Sequence, residues 1–372
     1  LAIAAASPGD TIEIDAAGTY DGDVCAWSTD GLTIRGVNGR PRINAAGHAA
    51  QGKAIWVIRG NDTVVENIEF MGAAVPDKNG AGIRQEGRNL TVRDCYFHDN
   101  ENGILTGDSP DSRVLVEYSE FAYNGAGDGY SHNLYINHVG RFTFRFCYSH
   151  HSKAGHLVKT RAAESYILYS RLSDEANGTG SYEIDVPNGG KTFIIGNLLE
   201  RGPLSSNSTI VAYHEEGPNP ANPNRSLYIV NNTFVNDRPG NATFIAIPAS
   251  GPTPAIIRNN VFSGPGAIVR QANAILQGNV VTQAPRFVDA ANYDYHTRSG
   301  SPAIDAGVEP GDAAGYSLVP SHQYVHPACG EGRVVVGKID AGSYEFGGAA
   351  FDQDSPERCK EMSHSQSKSR PR

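Results

Sequence analysis

Short runs of alternating apolar and polar residues return along this chain at a nearly constant spacing. Thr63 opens TVVENIEF, Leu90 opens LTVRDCYF, Val114 opens VLVEYSEF, Phe142 opens FTFRFCYS, Ser165 opens SYILYSRL and Thr192 opens TFIIGNLL. These six begin 23–28 residues apart, and LYIVNNTF from Leu227, AIIRNNVF from Ala255 and AILQGNVV from Ala274 continue the series. Self-similarity at such a period marks a solenoid, in which each unit buries its apolar face against the next. The units are β-branched and aromatic with a period of two, so they predict strands and not helices. A second series lies between them: GIRQE at Gly82, GILTG at Gly103, NLYIN at Asn133, HLVKT at His156, YEIDV at Tyr182, TIVAY at Thr209 and FIAIP at Phe244. Several strands per coil, stacked in register, predict an all-β chain folded as a single-stranded right-handed parallel β-helix.

One column of the repeat has a physical reading of its own. Its sixth position holds Ile68, Cys95, Ser119, Cys147, Ser170, Asn197, Asn232, Asn260 and Asn279. Small or amide side chains at a recurring bend stack and hydrogen-bond from coil to coil, as asparagine ladders do. Cys95 and Cys147 therefore read as small buried hydrophobes and not as ligands or nucleophiles. The segments after Phe70, Tyr123, His150, Glu175, Glu215 and Ala249 interrupt the pattern and read as insertions, the places where a solenoid carries its binding groove.

Composition narrows the partners. A net charge of −9 over 372 residues argues against nucleic acid. No apolar stretch is long enough for a transmembrane helix. The start at Leu1, without Met, fits a removed signal peptide or a missing beginning. The five cysteines include no CxxC pair and, being odd in number, cannot all pair with one another. From Phe351 the chain is polar and aperiodic, so the expected organisation is a β-helix over residues 1–347 and a disordered tail over 348–372 that leaves Cys359 a candidate free thiol.

The opening ASPGDTIEIDAAGTYDGD (6–23) and the closing SGSPAIDAG (299–307) with GKIDAGSYEF (337–346) resemble the first coil and the end segment of the pectate-lyase-like superfamily of secreted β-helix proteins. The resemblance spans about residues 1–347 and implies the fold, a secreted or periplasmic location and an acidic polysaccharide as partner. The fold hosts lyases, hydrolases, epimerases and non-catalytic surface proteins, so activity has to be argued from the site. The paired aspartates of polygalacturonases, the WxDH-type motif of the main pectate lyases and the DPHE-type motif of mannuronan C5-epimerases are absent. A Lys and an Arg beside acidic residues is closer to the chondroitinase-B and alginate-lyase branch, which uses a Lys base, an Arg and a calcium ion.

Alternation along each strand selects the candidate site. In YEIDV, burying Tyr182, Ile184 and Val186 leaves Glu183 and Asp185 outside, and these are the candidate Ca²⁺ ligands. In HLVKT and the residues after it, burying Val158 sends Lys159 and Arg161 outward. In HNLYIN, burying Leu134 and Ile136 turns Asn133, Tyr135 and Asn137 outward, and Val211, Tyr213 and Glu215 are expected on the same face one coil on. Lys159, Arg161, Tyr135, His132 and His156 are the catalytic candidates; Asn133, Asn137, Tyr213 and Glu215 are the substrate-binding ones. Five of the twelve histidines fall between 132 and 156, yet no HxH or HExxH spacing supports zinc. β-Elimination on a uronate needs a cation at the carboxylate, a base at C5 and a donor near the leaving oxygen, and this set supplies all three types. The competing readings are a C5-epimerase, a glycoside hydrolase using Glu183 with Asp185, a non-catalytic glycan-binding β-helix, and plain cross-strand ion pairing.

Overall fold

The computed structural model describes residues 2–248, 253–350, 352, 353, 355, 356 and 358–360. Three parallel sheets run side by side along one axis. The first has eleven strands, from Thr11–Asp15 to Ile275–Gln277; the second has eleven, from Tyr20–Asp21 to Val280–Thr282; the third has ten, from Cys25–Trp27 to Gly266–Val269. Within these sheets each strand pairs in parallel with its counterpart one coil before and one coil after, the end strands with one of them, which is the parallel β-solenoid that the repeat predicts. The first repeat series proves to be two strands around a bend, as in Thr63–Glu66 followed by Glu69–Met71, and the second series supplies the third sheet.

The bend between the first two sheets shows how a two-residue corner is built. Asn67, Asp94, Tyr118, Phe146, Tyr169, Asn231 and Asn259 all adopt the left-handed region, with φ of 47–55°. The next residue points inward, and where it is Ser119, Ser170 or an Asn from Asn232 to Asn279 its side chain forms the ladder by accepting the backbone N–H of the column residue one coil before. Asn197 N donates to Asn232 Oδ1 at 2.9 Å, Asn232 N to Asn260 Oδ1 at 2.9 Å and Asn260 N to Asn279 Oδ1 at 2.9 Å. Left-handed backbone is costly for a residue with a Cβ, about 1–2 kcal/mol, and the ladder offsets it by satisfying one buried N–H per coil. Cys95 and Cys147 occupy the same column, fully buried, and desolvation raises both thiols, Cys95 to about 12. Inside, Phe70, Phe97 and Phe121 stack with centroids 4.8 and 4.9 Å apart.

After the last coil the chain turns back along this corner. Val308 N donates to Asn259 Oδ1 (2.8 Å), Asn231 Nδ2 to Asp340 O (2.7 Å), and Ser321 Oγ meets Tyr169 Oη (3.2 Å). Cys359 is not free: it is bonded to Cys329, and Arg358 beside it donates to Asp94 Oδ1 at 2.5 Å and Tyr118 O at 2.7 Å. The expected disorder is corrected for the described residues up to Lys360, while 351, 354, 357 and 361–372 lie outside the described residues, as does the insertion at 249–252. Among the described residues no helix is long and apolar enough to cross a membrane.

Candidate functional site

The outer face of the third sheet carries one column of outward side chains through the middle coils, of which Val57, Leu105, Asp185 and Ala212 are buried. Its outward column runs Val57, Arg84, Leu105, Tyr135, Lys159, Asp185 and Ala212, each in register with the next. Insertions border it on both sides: residues 123–133, 151–157 and 174–183 enter the strands, and 214–226 leaves them. The structure therefore brings Tyr135, Lys159 and Asp185 together on one face, as alternation predicts, with Arg161 and the half-buried Asn137 beside them.

Lys159 and Arg161 are held by acceptors. Lys159 Nζ lies 3.3 Å from Asp185 Oδ2, 3.6 Å from Glu216 Oε1 and 5.5 Å from the centre of the Tyr135 ring. Arg161 donates from Nε to Tyr135 Oη (2.9 Å), from Nη1 to Asn188 Oδ1 and from Nη2 to Glu216 Oε2 (2.7 Å). Asp185 is buried beneath them, and desolvation, opposed by Lys159, pushes its carboxyl up to about 6.

His132 and His156 form a ladder of their own. His132 N donates to Asn102 Oδ1 (2.9 Å), His156 N to His132 Nδ1 (3.0 Å) and Tyr182 N to His156 Nδ1 (3.2 Å), with the two imidazoles stacked 4.5 Å apart. An Nδ1 that accepts a backbone N–H leaves the neutral ring with its proton on Nε2. His156 Nε2 then points its hydrogen toward Asp185, 3.3 Å away. Desolvation, reinforced by Lys159 and Arg161, drives His132 down to about 3; desolvation with His132 and Lys159 drives His156 well below its usual range. As catalytic bases both are corrected, because the one basic nitrogen of each is spent on the fold.

Asn133, Glu183, Val211 and Tyr213 also depart from expectation. Asn133 is not outward: it is fully buried, accepts from Asn124 Nδ2 (3.0 Å) and donates to Ser149 Oγ (3.0 Å) and His150 O (2.9 Å). Glu183 is buried too, paired with Arg201 Nη2 at 2.7 Å. The strands begin only at Leu134 and Ile184, so the residue before each sits in the corner, where alternation has not started. Gly103 occupies the same corner position as Asn133, and a Cβ there would lie 2.9 Å from the Phe121 ring. Tyr213 and Val211 are core residues in register with Val186 and Ile184, and Tyr213 Oη donates to Gly190 O (2.7 Å). Glu215 is exposed, and its neighbour Glu216 is the carboxylate that reaches Lys159 and Arg161. Asn188 and Glu216 were not among the sequence candidates. The turn PNGG could have placed Asn188 at the end of its strand, whereas nothing in HEEGPNP selects the second glutamate over the first.

Glu183 and Asp185 also fail as a calcium pair. One carboxylate is occupied by Arg201 and the other faces Lys159, so the two do not converge. Among the described residues no three His, Cys, Asp or Glu side chains form a group that could hold a metal ion.

No protein-family model matches this chain, and no curated protein does. Among solved structures the chain is similar to the crystal structure of pectate lyase Pel9A, with a TM-score of 0.63 and 15% identity over 92% of this chain and 90% of that one. At that identity the likeness establishes the fold, a pectate-lyase-like parallel β-solenoid, over nearly the full length of both chains.

Proposed function

We propose that the protein is a secreted carbohydrate-active enzyme that cleaves a uronate-containing polysaccharide by β-elimination over its third sheet. The observation that carries this reading is that Lys159 and Arg161 already share one half-exposed carboxylate, that of Glu216, at the edge of the groove. Cations placed to hold a carboxylate arriving from solvent suit the carboxylate of a uronic acid. Arg161 is the clamp, its planar fork matching a carboxylate's two oxygens. Neutralising that charge acidifies the C5 proton. Lys159 is the group that accepts this proton after giving up one of its own, and Asp185, at 3.3 Å, is the neighbour placed to receive it. The C5–H electron pair forms the C4–C5 double bond, the C4–O bond breaks, and Tyr135 Oη donates to the leaving oxygen. Lysine, arginine and tyrosine thus divide among them the three tasks that the reaction sets. A disulfide between Cys329 and Cys359 supports an oxidising, extracytoplasmic location.

The test is a panel of acidic polysaccharides followed by the ultraviolet absorbance of the unsaturated product, with Lys159→Ala and Arg161→Ala alongside. Absence of that product across the panel would sink the lyase reading. A second reading, a glycan-binding protein without chemistry, is favoured by the way Arg161 spends its donors on Tyr135, Asn188 and Glu216. Binding of the same glycans without product would select it, and C5 hydrogen exchange without chain cleavage would select an epimerase.

A further inference from the structure

Glu216 differs from the other polar groups around Arg161 in where it stands. Tyr135, Lys159 and Asp185 belong to strands of the third sheet, whereas Glu216 lies beyond the strand Thr209–Tyr213, at the start of the long 214–226 connection. His214 and Gly217, on either side of it, adopt left-handed backbone with φ of 64° and 83°. The main chain is pinned from below: Glu216 N donates to Pro187 O at 3.0 Å, and Asn188 Nδ2 donates to Gly217 O at 3.3 Å. The side chain itself is 49% exposed, against 12% for Lys159 and 15% for Arg161. It enters from the rim and lays one carboxylate oxygen on each cation. Partial burial works to raise its carboxyl, and the hydrogen bond and charge of Arg161, with Lys159, outweigh this and hold it below the usual range.

Resting on the polysaccharide reading of this groove, we propose that Glu216 is a resident carboxylate standing in the place of a substrate uronate, so that it sets the specificity for glycans that bring a carboxylate of their own. An incoming uronate exchanges one carboxylate for another at Arg161 and Lys159, and Glu216 swings out to water. The ion pairs broken equal the ion pairs formed. A neutral sugar offers only hydroxyl acceptors, which are weaker partners for a guanidinium than a carboxylate is, and it leaves Glu216 in place. The Glu216 carboxylate is half-exposed, and its release to water lets the exchange cost little for the right ligand.

The experiment compares wild type with Glu216→Gln and Glu216→Ala in the full chain. Binding of a panel of oligouronates and of their carboxyl-reduced neutral counterparts is measured by titration calorimetry, and thermal stability is measured with and without acetate. Both variants should bind the oligouronate tighter by about 2- to 5-fold, the factor that a half-exposed ion pair represents. The neutral counterpart should gain nothing, and acetate should stabilise Glu216→Ala more than wild type by filling the vacated position. A merely structural role for Glu216 moves the first readout the other way. Unchanged or weaker oligouronate binding in both variants, with acetate acting equally on wild type and Glu216→Ala, overturns the proposal. If no oligouronate binds any of the three proteins while acetate still favours Glu216→Ala, the resident carboxylate stands and the polysaccharide reading falls.

Discussion

Replacing Lys159 with alanine separates, by pH, what the side chain does for the fold from what it does for chemistry. Asp185 is only 4% exposed, and Lys159 is the cation beside it. With Lys159 present, desolvation still wins, and the carboxyl stands at about 6 instead of 3.8. Without Lys159 it rises further, but a carboxylate that cannot stay charged takes a proton, and that escape limits the damage. Protonation costs about 1.36 kcal/mol for each pH unit above the starting pKa. The loss of this one pairing is therefore at most about 2.7 kcal/mol at pH 8, and close to nothing at pH 5. The sign follows from linkage: the folded pKa lies above the unfolded one, so the folded state binds the proton more tightly, and stability falls as pH rises through the window between them. Lys159→Ala should steepen that fall above pH 6. Urea denaturation of wild type and variant at both pH values measures the difference, and turnover of an acidic polysaccharide at pH 8 measures the other role, where kcat/KM should drop by a factor on the order of 10² or more. Equal destabilisation at pH 5 and pH 8 would mean that the side chain packs and does not pair. Undiminished turnover would remove it from the chemistry.

Arg201→Met leaves the Glu183 carboxylate buried with no cation and should cost about 3–5 kcal/mol at neutral pH, while adding Glu183→Leu should restore most of it, read by denaturant midpoints. In the ladder, Asn232→Ala removes the acceptor for Asn197 N and the donor to Ile194 O, for a loss of about 1–3 kcal/mol per orphaned group; a variant as stable as wild type would contradict the satisfaction argument. Since Glu183 and Asp185 do not converge, Ca²⁺ and EDTA should shift the melting curves of wild type and Asp185→Asn equally, and a calcium response that disappears in Asp185→Asn would reinstate that carboxylate as a ligand.

The sequence made the coil-to-coil register legible because the core tolerates so little variation: Phe70, Phe97 and Phe121 recur where only an inward face exists. The same regularity misled at the corners. Alternation counted back from Tyr135 and Asp185 sends Asn133 and Glu183 outward, but both precede the first residue of their strands and turn into the interior. Thr209–Tyr213 is buried along its whole length, so its two faces do not differ in polarity and alternation puts Tyr213 on the wrong side. The histidine cluster was visible as a density, whereas its use as a ladder depends on which nitrogen meets the next backbone N–H. Glu216 reaches Arg161 across 55 positions, and Cys359 reaches Cys329 across 30; pairings at such separations leave no local trace.

A stack in which each coil touches only its neighbours behaves as a one-dimensional chain of units, free to open at any weak point. The returning C-terminal segment removes that freedom. Fastened at Asn259 near one end and, through Arg358, at Asp94 and Tyr118 near the other, it makes the loss of any coil in between a strain on the whole span. Tyr135, Lys159 and Asp185 come from coils inside that span. Their mutual spacing is therefore set by a closed loop of chain and not by stacking alone, and coils outside the tether, including the first ones, are where the molecule should exchange its amide hydrogens soonest.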